Sequence, residues 1–559
     1  MNTEKVYLKI KSYYPLSYDK NLLPFLLETY FDVLKSRIIN SDSSRIGGNY
    51  GRDRYEQLVK KYSLLPKNVS DPIKTSKKIV DDLFQGILRW RSPNMEYNVG
   101  APVNSISSAL YALALDENIY AIDDGLAGNA LVAEQAVVKI LSNLAGLSKT
   151  GVGFFTFGGT ATNLYATKVG LKKAFPKSGE KGIPNSVRVF VTEDSHFSHA
   201  LSADWLGIGT DNIISIRASK NRQSSIKDFS RKVEKALNAG QVISSIILNG
   251  GTTYDHTIDE IKKFVELRDF YVKKYSLQYK PHIHVDSVIG WAWLFFRQYD
   301  FSKNSLGLSK NTLDILREQC RRISQLKYAD SWGADFHKGV GGCPVASSIV
   351  VFNNKKDLNC LSKGKSSLLD MHQLSREINY LSPADYTLET SRTAGAALSA
   401  LAVLHFLGTE GYQRNLANLV ELTLLMRDLL KDKSGIIVAN PLSLGFSTMI
   451  RMFPPEFSSD DRMYSEFDSK SPNIEQFITQ TNNYIKAFYK WDYSTRIVKN
   501  IGPSYSFSST YRKINGVKVS AIKVYPVSPH FNKKYAKNTV QTLIRQKKIF
   551  DEDIWDNKK

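Results

Sequence analysis

The sequence predicts an α/β protein: a large domain built on a mostly parallel sheet, followed by a smaller α+β domain. Three observations predict it. Between residues 151 and 352, short apolar runs (153–157, 187–192, 243–249, 282–288 and 347–352) alternate with helically patterned segments (163–174, 199–206 and 258–273). That alternation is the mark of parallel strands covered on both faces by helices. After about residue 415 the texture becomes mixed. A helix over 416–430 leads to strand-like runs at 436–439, 447–452 and 517–525, and Pro454 and Pro455 punctuate a loop. Finally, 559 residues exceed what one core serves, so two or three domains are expected.

Ahead of the sheet, apolar residues recur at helical spacing over 22–39 and 77–90. Residues 92–103 carry Pro, Asn and Gly and read as an extended crossing loop. Helices are expected over 105–116 and 128–147, and a buried helix over the apolar run 394–408. The last forty residues read as partly helical. The expected division is an N-terminal helical segment over 1–104, a large domain over 105–415 and a small C-terminal domain over 416–559.

Composition excludes several classes. Hydrophobic content of 42% with 11% aromatics belongs to a globular chain, not a disordered one. The net charge of +21 invites a nucleic-acid reading. However, the lysines are spread along the chain and no nucleic-acid motif is present, so no nucleic-acid partner is expected. The run 394–408 falls short of the roughly 20 residues that a bilayer span needs, and the start lacks the apolar core of a secretory signal. Three cysteines, Cys320, Cys343 and Cys360, are widely spaced without a CxxC pair. The expectation is a soluble, cytoplasmic protein without disulfides or a zinc site.

Four short stretches can carry chemistry, and each has a plainer reading beside it. Gly158-Gly159-Thr160-Ala161-Thr162-Asn163 joins an apolar strand to a helix. It is either a phosphate-binding turn, whose free N–H groups and helix dipole favour an anion, or an ordinary strand–turn–helix connection. His284-Val285-Asp286 lies towards the end of the strand expected over 282–288, and open α/β sheets bind ligands beyond such ends. Its carboxylate can pair with a protonated pyridine nitrogen or simply cap the turn. Lys338, within Asp335-Phe336-His337-Lys338-Gly339, is a candidate Schiff-base lysine, although most lysines are solvated surface groups. His196, in Ser195-His196-Phe197-Ser198, can lie over a flat cofactor ring or be structural.

Taken together and in order, these stretches resemble the pyridoxal-dependent decarboxylase family, the group II amino-acid decarboxylases for glutamate, tyrosine and aromatic amino acids. The matching segments are FFTFGGTATNLYAT, EDSHFSHALSADWLGIG, LNGGTTYDHTIDEI, HIHVDSV, ADSWGADFHKG and DYTLETSRTAGAALSAL. They span about residues 90 to 415, over half the chain. The resemblance implies a PLP-dependent transferase fold of type I, with a seven-stranded, parallel-rich sheet, and a homodimer with active sites at the subunit interface. The N-terminal helices would then supply dimer contacts.

By the same resemblance, Lys338 carries pyridoxal 5′-phosphate (PLP) as a Schiff base, Asp286 holds the pyridine nitrogen, and His196 stacks on the ring. Gly159 and Thr160 match the phosphate turn, Thr252 packs near the ring, and Ser331 and His337 lie in the segment supporting phosphate and lysine. A loop tyrosine often assists proton return in the family; Tyr380 is favoured here over Tyr386, with His196 as a second donor. Two departures stand out: Ser287 where the family has Ala, and Phe336 where it has Pro.

The expected reaction is removal of an amino acid's α-carboxylate to give an amine and CO₂. PLP supplies the electron sink, and the protein supplies orientation and electrostatics. The alternatives are aldehyde synthesis or carbon–carbon lysis at the same site, and, from another class, a non-catalytic protein on this scaffold. Trp291, Trp293 and Phe295 near Asp286 slightly favour a bulky or apolar substrate over glutamate.

Overall fold

The computed structural model describes residues 3–147, 149–362, 382–458, 463, 467 and 473–555. A two-residue strand, β1 (Met95–Glu96), precedes the large sheet. That sheet contains β2 (Val152–Thr156), β3 (Val187–Thr192), β4 (Ile213–Ile216), β5 (Val242–Asn249), β6 (His282–Asp286), β7 (Ser331–Asp335) and β8 (Ser348–Phe352). Its seven strands run in the order β2-β8-β7-β6-β5-β3-β4. Strands β3 to β7 pair in parallel, and β8 is antiparallel to both of its neighbours. The expected mostly parallel, seven-stranded sheet is therefore present.

The run expected over 187–192 coincides with β3, and the other four expected strands match within one or two residues. Strands β4 and β7 were not foreseen. The sequence of β7, Ser-Trp-Gly-Ala-Asp, is poor in strand formers; burial of all five residues holds it extended.

The small domain carries a second sheet of five strands in the order β1-β11-β12-β10-β9, with β9 (Ile436–Val438), β10 (Thr448–Met452), β11 (Ser504–Ile514) and β12 (Val517–Val524). Its pairings are antiparallel except β1 with β11. A strand from the N-terminal segment thus completes the C-terminal sheet, so these ends of the chain are not separate units. Helices Ile474–Asp492 and Lys533–Phe550 contribute Tyr484, Ile485, Phe488, Val540 and Leu543 to the core behind this sheet.

Two helices expected on either side of residue 410 form one element, Gly395–Leu429, with a non-helical residue at Gly408. Its residues Ala396 to Val420 pack into the large core, and Leu422 and Met426 into the small one. The helix therefore bridges two cores. Among the described residues no helix is long and apolar enough to cross a membrane.

Candidate active site

The C-terminal ends of β3, β5, β6 and β7 lie on one edge of the sheet. Strand β2 points the same way, because β8 is antiparallel to both β2 and β7. His196, Thr252, Asp286, Lys338 and the Gly158 turn all follow these ends. The topology therefore brings them to one rim.

At the first strand end, Gly158 has φ 133°, a backbone that few other residues adopt. Gly159 opens helix Gly159–Ala174. A Cβ on Gly159 would stand 2.7 Å from Asp335 Oδ2 and 3.1 Å from Val288 Cγ1. Glycine is thus required where the helix start meets the lysine segment. Thr160 is exposed in the first turn, where helix N–H groups lack intrahelical acceptors and can receive a phosphate.

Lys338 follows β7. Its ammonium lies 2.8 Å from Asp335 Oδ2. Burial pushes the amine's proton affinity down, but Asp335 and Asp286 more than reverse this, and its pKa lies above the ordinary lysine value. His337 Nδ1 accepts the Ser347 N–H at 3.2 Å, and its Nε2 lies 3.5 Å from Asp335 Oδ2. The crossing loop pins this segment: Gly339 N–H donates to Val99 O at 2.6 Å and Ala101 N–H to His337 O at 2.9 Å.

The two departures from the family pattern have local explanations. Phe336 N–H donates to Ser347 O at 2.7 Å, a bond that proline could not make. Ser287 Oγ donates to Gly333 O at 2.6 Å, tying the turn after β6 to β7.

Asp286 is buried. Its Oδ2 accepts from Asn163 Nδ2 at 3.0 Å and lies 3.5 Å from His199 Nε2. Its Oδ1 is buried with no hydrogen-bond partner. A buried acceptor left open in this way is costly unless a ligand donor completes it. Burial raises the carboxyl's pKa, but His199, Lys338, His196 and the Asn163 amide together hold it below the ordinary aspartate value. An ionised acceptor with one open oxygen, close enough to Lys338 for each charge to act on the other, fits PLP: Asp286 would accept from a pyridinium N–H and Lys338 would take the aldehyde.

His196 is exposed toward the rim, next to Ser198, whose Oγ is 2.9 Å from its Nδ1. Burial of part of the ring lowers its pKa; Lys338 adds to this, and Asp286 and Asp335 oppose it. Thr252 is half-buried in the turn after β5 and accepts the Thr257 N–H at 3.1 Å.

Ser331 is not at this rim. It starts β7, one strand length below Lys338, and its hydroxyl is 2.7 Å from His282 Nε2 and 2.8 Å from His284 Nδ1. The segment that matched as a whole is an extended strand, so its two ends are about 13 Å apart, and Ser331 is corrected from phosphate support to a buried site beneath the pocket. Trp291, Trp293 and Phe295 are fully packed core residues, which removes the ground for preferring a bulky or apolar substrate. Tyr380 lies outside the described residues.

Sequence reading did not single out Asn163, His199, Asp335 or Lys523. The first three were embedded in the motifs, but only tertiary contact shows that they serve Asp286 and Lys338. Lys523 on β12 is buried, and burial lowers its pKa to about 8. Its ammonium donates to Asn98 Oδ1 at 3.0 Å, on the loop that pins Lys338.

A family model described as the pyridoxal-dependent decarboxylase conserved domain matches residues 60–445. Acidic amino acid decarboxylase GADL1 of Xenopus tropicalis is 20% identical over 428 residues, 75% of this chain and 77% of that protein. L-2,4-diaminobutyrate decarboxylase of Rhizobium meliloti (strain 1021) is 23% identical over 326 residues, 56% of each chain. The structure of mouse CSAD in apo form matches with a TM-score of 0.73 at 16% identity, covering 94% of this chain and 98% of that one. Oryza sativa TDC with PLP and tryptamine matches with a TM-score of 0.71 at 14% identity, covering 96% and 99%. At such identities the solved structures speak for the fold, whereas the family model spans most of the sequence. This chain belongs to the pyridoxal-dependent decarboxylase family, whose members are PLP-dependent carboxy-lyases acting on amino acids.

Proposed function

We propose that the protein removes the α-carboxylate of an amino acid, releasing CO₂ and the amine, with PLP held as a Schiff base on Lys338. The observation that carries this reading is the buried, unpartnered Oδ1 of Asp286, a carboxylate whose charge acts on the Lys338 ammonium. Bound PLP would supply the electron sink for the pair released when the Cα–carboxylate bond breaks.

The other roles belong to the chain. Asp286, held ionised, keeps the ring nitrogen protonated. Gly159 and Thr160 offer backbone and hydroxyl donors to the phosphate, with His337 behind them. His196 covers the ring face and can hold a proton near Cα on its outer nitrogen. Thr252 packs beside the ring. The cofactor domain is taken as 105–415, with the N-terminal segment 1–104 lending β1 to the sheet of the C-terminal domain 416–559 and helix Gly395–Leu429 running across the boundary.

Helix Leu23–Ser36 has no buried residue and exposes Phe25 and Phe31. Such a face supports a homodimer. The three cysteines are free, consistent with a cytoplasmic setting.

The test is a visible absorbance band of bound cofactor and CO₂ release across the standard amino acids, together with acidic and diamino acids. Both signals should vanish in Lys338→Ala. A band of unchanged position and intensity in that variant would refute the assignment.

A further inference from the structure

Strand β6 presents His282, His284 and Asp286 on one face, because side chains alternate with period two. Helix Gly159–Ala174 covers that face, with Asn163 near Asp286 and Lys173 near His282. Ten helical residues rise about 15 Å, and four strand residues about 13 Å. The two elements therefore keep step along their length. Ser331 on β7 pairs in register with His284 and fills the space between the two imidazoles.

The donors and acceptors in this row have one consistent arrangement. The ionised Asp286 can only accept, so Asn163 turns its amide nitrogen to it, at 3.0 Å, and to Ser198 Oγ, at 3.1 Å. Asn163 Oδ1 must then accept, and its partner is His284 Nε2 at 3.1 Å. His284 is fully buried, which lowers its pKa to about 3, so the ring is neutral. With its proton on Nε2, its Nδ1 accepts from Ser331 Oγ at 2.8 Å. Ser331 has spent its one proton and must accept from His282 Nε2 at 2.7 Å. That leaves His282 Nδ1 to accept from the Lys173 ammonium at 3.4 Å. Lys173 is itself held 3.1 Å from Asp357 and 3.9 Å from Asp330.

Every hydrogen bond in the row points the same way, from a cation near the surface to the carboxylate in the pocket. Aligned bonds polarise one another in a low-dielectric interior. A branch leaves Asn163 through Ser198. Ser198 N–H donates to His196 Nδ1 at 3.2 Å, so that nitrogen is an acceptor and the His196 proton sits on the outward Nε2. The Asn163 amide does not relay protons, so the row orients and polarises rather than conducts.

We infer that Lys173, His282, Ser331, His284 and Asn163 form a directed hydrogen-bond chain that positions Asp286 for the cofactor's ring nitrogen. These are positioning residues, and the inference rests on the proposed pairing of Asp286 with PLP.

The test uses the full chain in two readouts. In apo protein labelled with ¹⁵N-histidine, both His282 and His284 should carry their proton on Nε2, and Ser331→Ala should shift both N–H resonances. In PLP titrations, Ser331→Ala and Lys173→Met should each weaken binding about 3- to 30-fold, the usual span for coupling through packed networks. Lys173→Arg should restore it. In an Asp286→Asn background, Ser331→Ala should add nothing further. An Nδ1 proton on either ring, or an effect of Ser331→Ala that persists beside Asp286→Asn, would overturn the chain. If Ser331→Ala does not fold, the Lys173→Met and Lys173→Arg pair decides. Unchanged PLP affinity in Asp286→Asn would instead sink the pairing of Asp286 with PLP, while the imidazole protons still judge the chain itself.

Discussion

Lys338 Nζ stands 2.8 Å from Asp335 Oδ2, a carboxylate whose side chain has no exposed surface. The amine proposed to capture the cofactor aldehyde is therefore held as an ammonium in the protein without PLP. Burial works against that charge, and Asp335 with Asp286 outweighs it. Only the neutral amine is a nucleophile.

Replacing Asp335 with Asn should accordingly lower the Lys338 pKa and speed capture of PLP by the apo protein near neutral pH. Well below its pKa, an amine gains about tenfold in neutral fraction for each pH unit by which that pKa falls. Stopped-flow absorbance on mixing apo protein with PLP reads this directly. A slower capture in Asp335→Asn would mean that the carboxylate's main service is to aim the amine.

His196 offers a separable contribution. Its Nδ1 faces the Ser198 N–H at 3.2 Å, leaving Nε2 to the open rim. His196→Phe keeps a flat ring for stacking and removes the proton. The expected outcome is retained PLP with kcat reduced by about 100-fold or more, the scale of a lost general acid. Single-turnover kinetics compared with PLP affinity separates the two; an unchanged kcat would assign His196 to stacking alone.

How much of this was legible follows from what each residue's signal depends on. Strand β3 was readable because its apolar run is local, and Gly158 because a tight turn before a helix needs glycine. Lys338 and Asp286 stood out through their motifs. Ser331 did not read correctly because a motif gives order along the chain, not distance; an extended strand put it far from the lysine beside which it aligned. Asn163 and His282 lie inside matched stretches, but nothing local sets either apart from its neighbours. Their meaning lies in the registers of a helix and a strand separated by about a hundred residues. Strand β1 was hidden because two residues, Met95 and Glu96, leave no periodicity, and only pairing with β11 defines it.

The SRTAG stretch has a structural duty distinct from the cofactor. Arg392 Nη2 lies 2.7 Å from Glu134 Oε2 and donates to Phe155 O at 2.7 Å, and Glu134 Oε2 accepts the Phe155 N–H at 3.0 Å. Both side chains are buried. Arg392→Met would strand the Glu134 charge and should cost about 3–5 kcal/mol. Urea unfolding measures it. Arg392→Met combined with Glu134→Gln should recover part of that loss, because the stranded charge is gone.

Glu96 should make folding stability depend on pH. It sits on β1, fully buried, with Oε1 accepting from Thr539 Oγ1 at 2.5 Å and Oε2 unpartnered. Burial raises its pKa to about 8, against opposing effects of Thr539 and Arg496. The sign follows from proton counting: between pH 4.5 and 8 the folded carboxyl keeps a proton that the unfolded one has lost, so stability falls as pH rises through that window. The slope approaches about 1.4 kcal/mol per pH unit for one such group. Glu96→Gln keeps the shape and removes the titration. The variant should match the wild type near pH 4.5 and be the more stable protein at pH 8, as read by paired denaturant unfolding curves. Because other buried groups titrate in both proteins alike, the difference between the curves isolates Glu96. A difference that stays flat with pH would show that this carboxyl is already ionised within the fold.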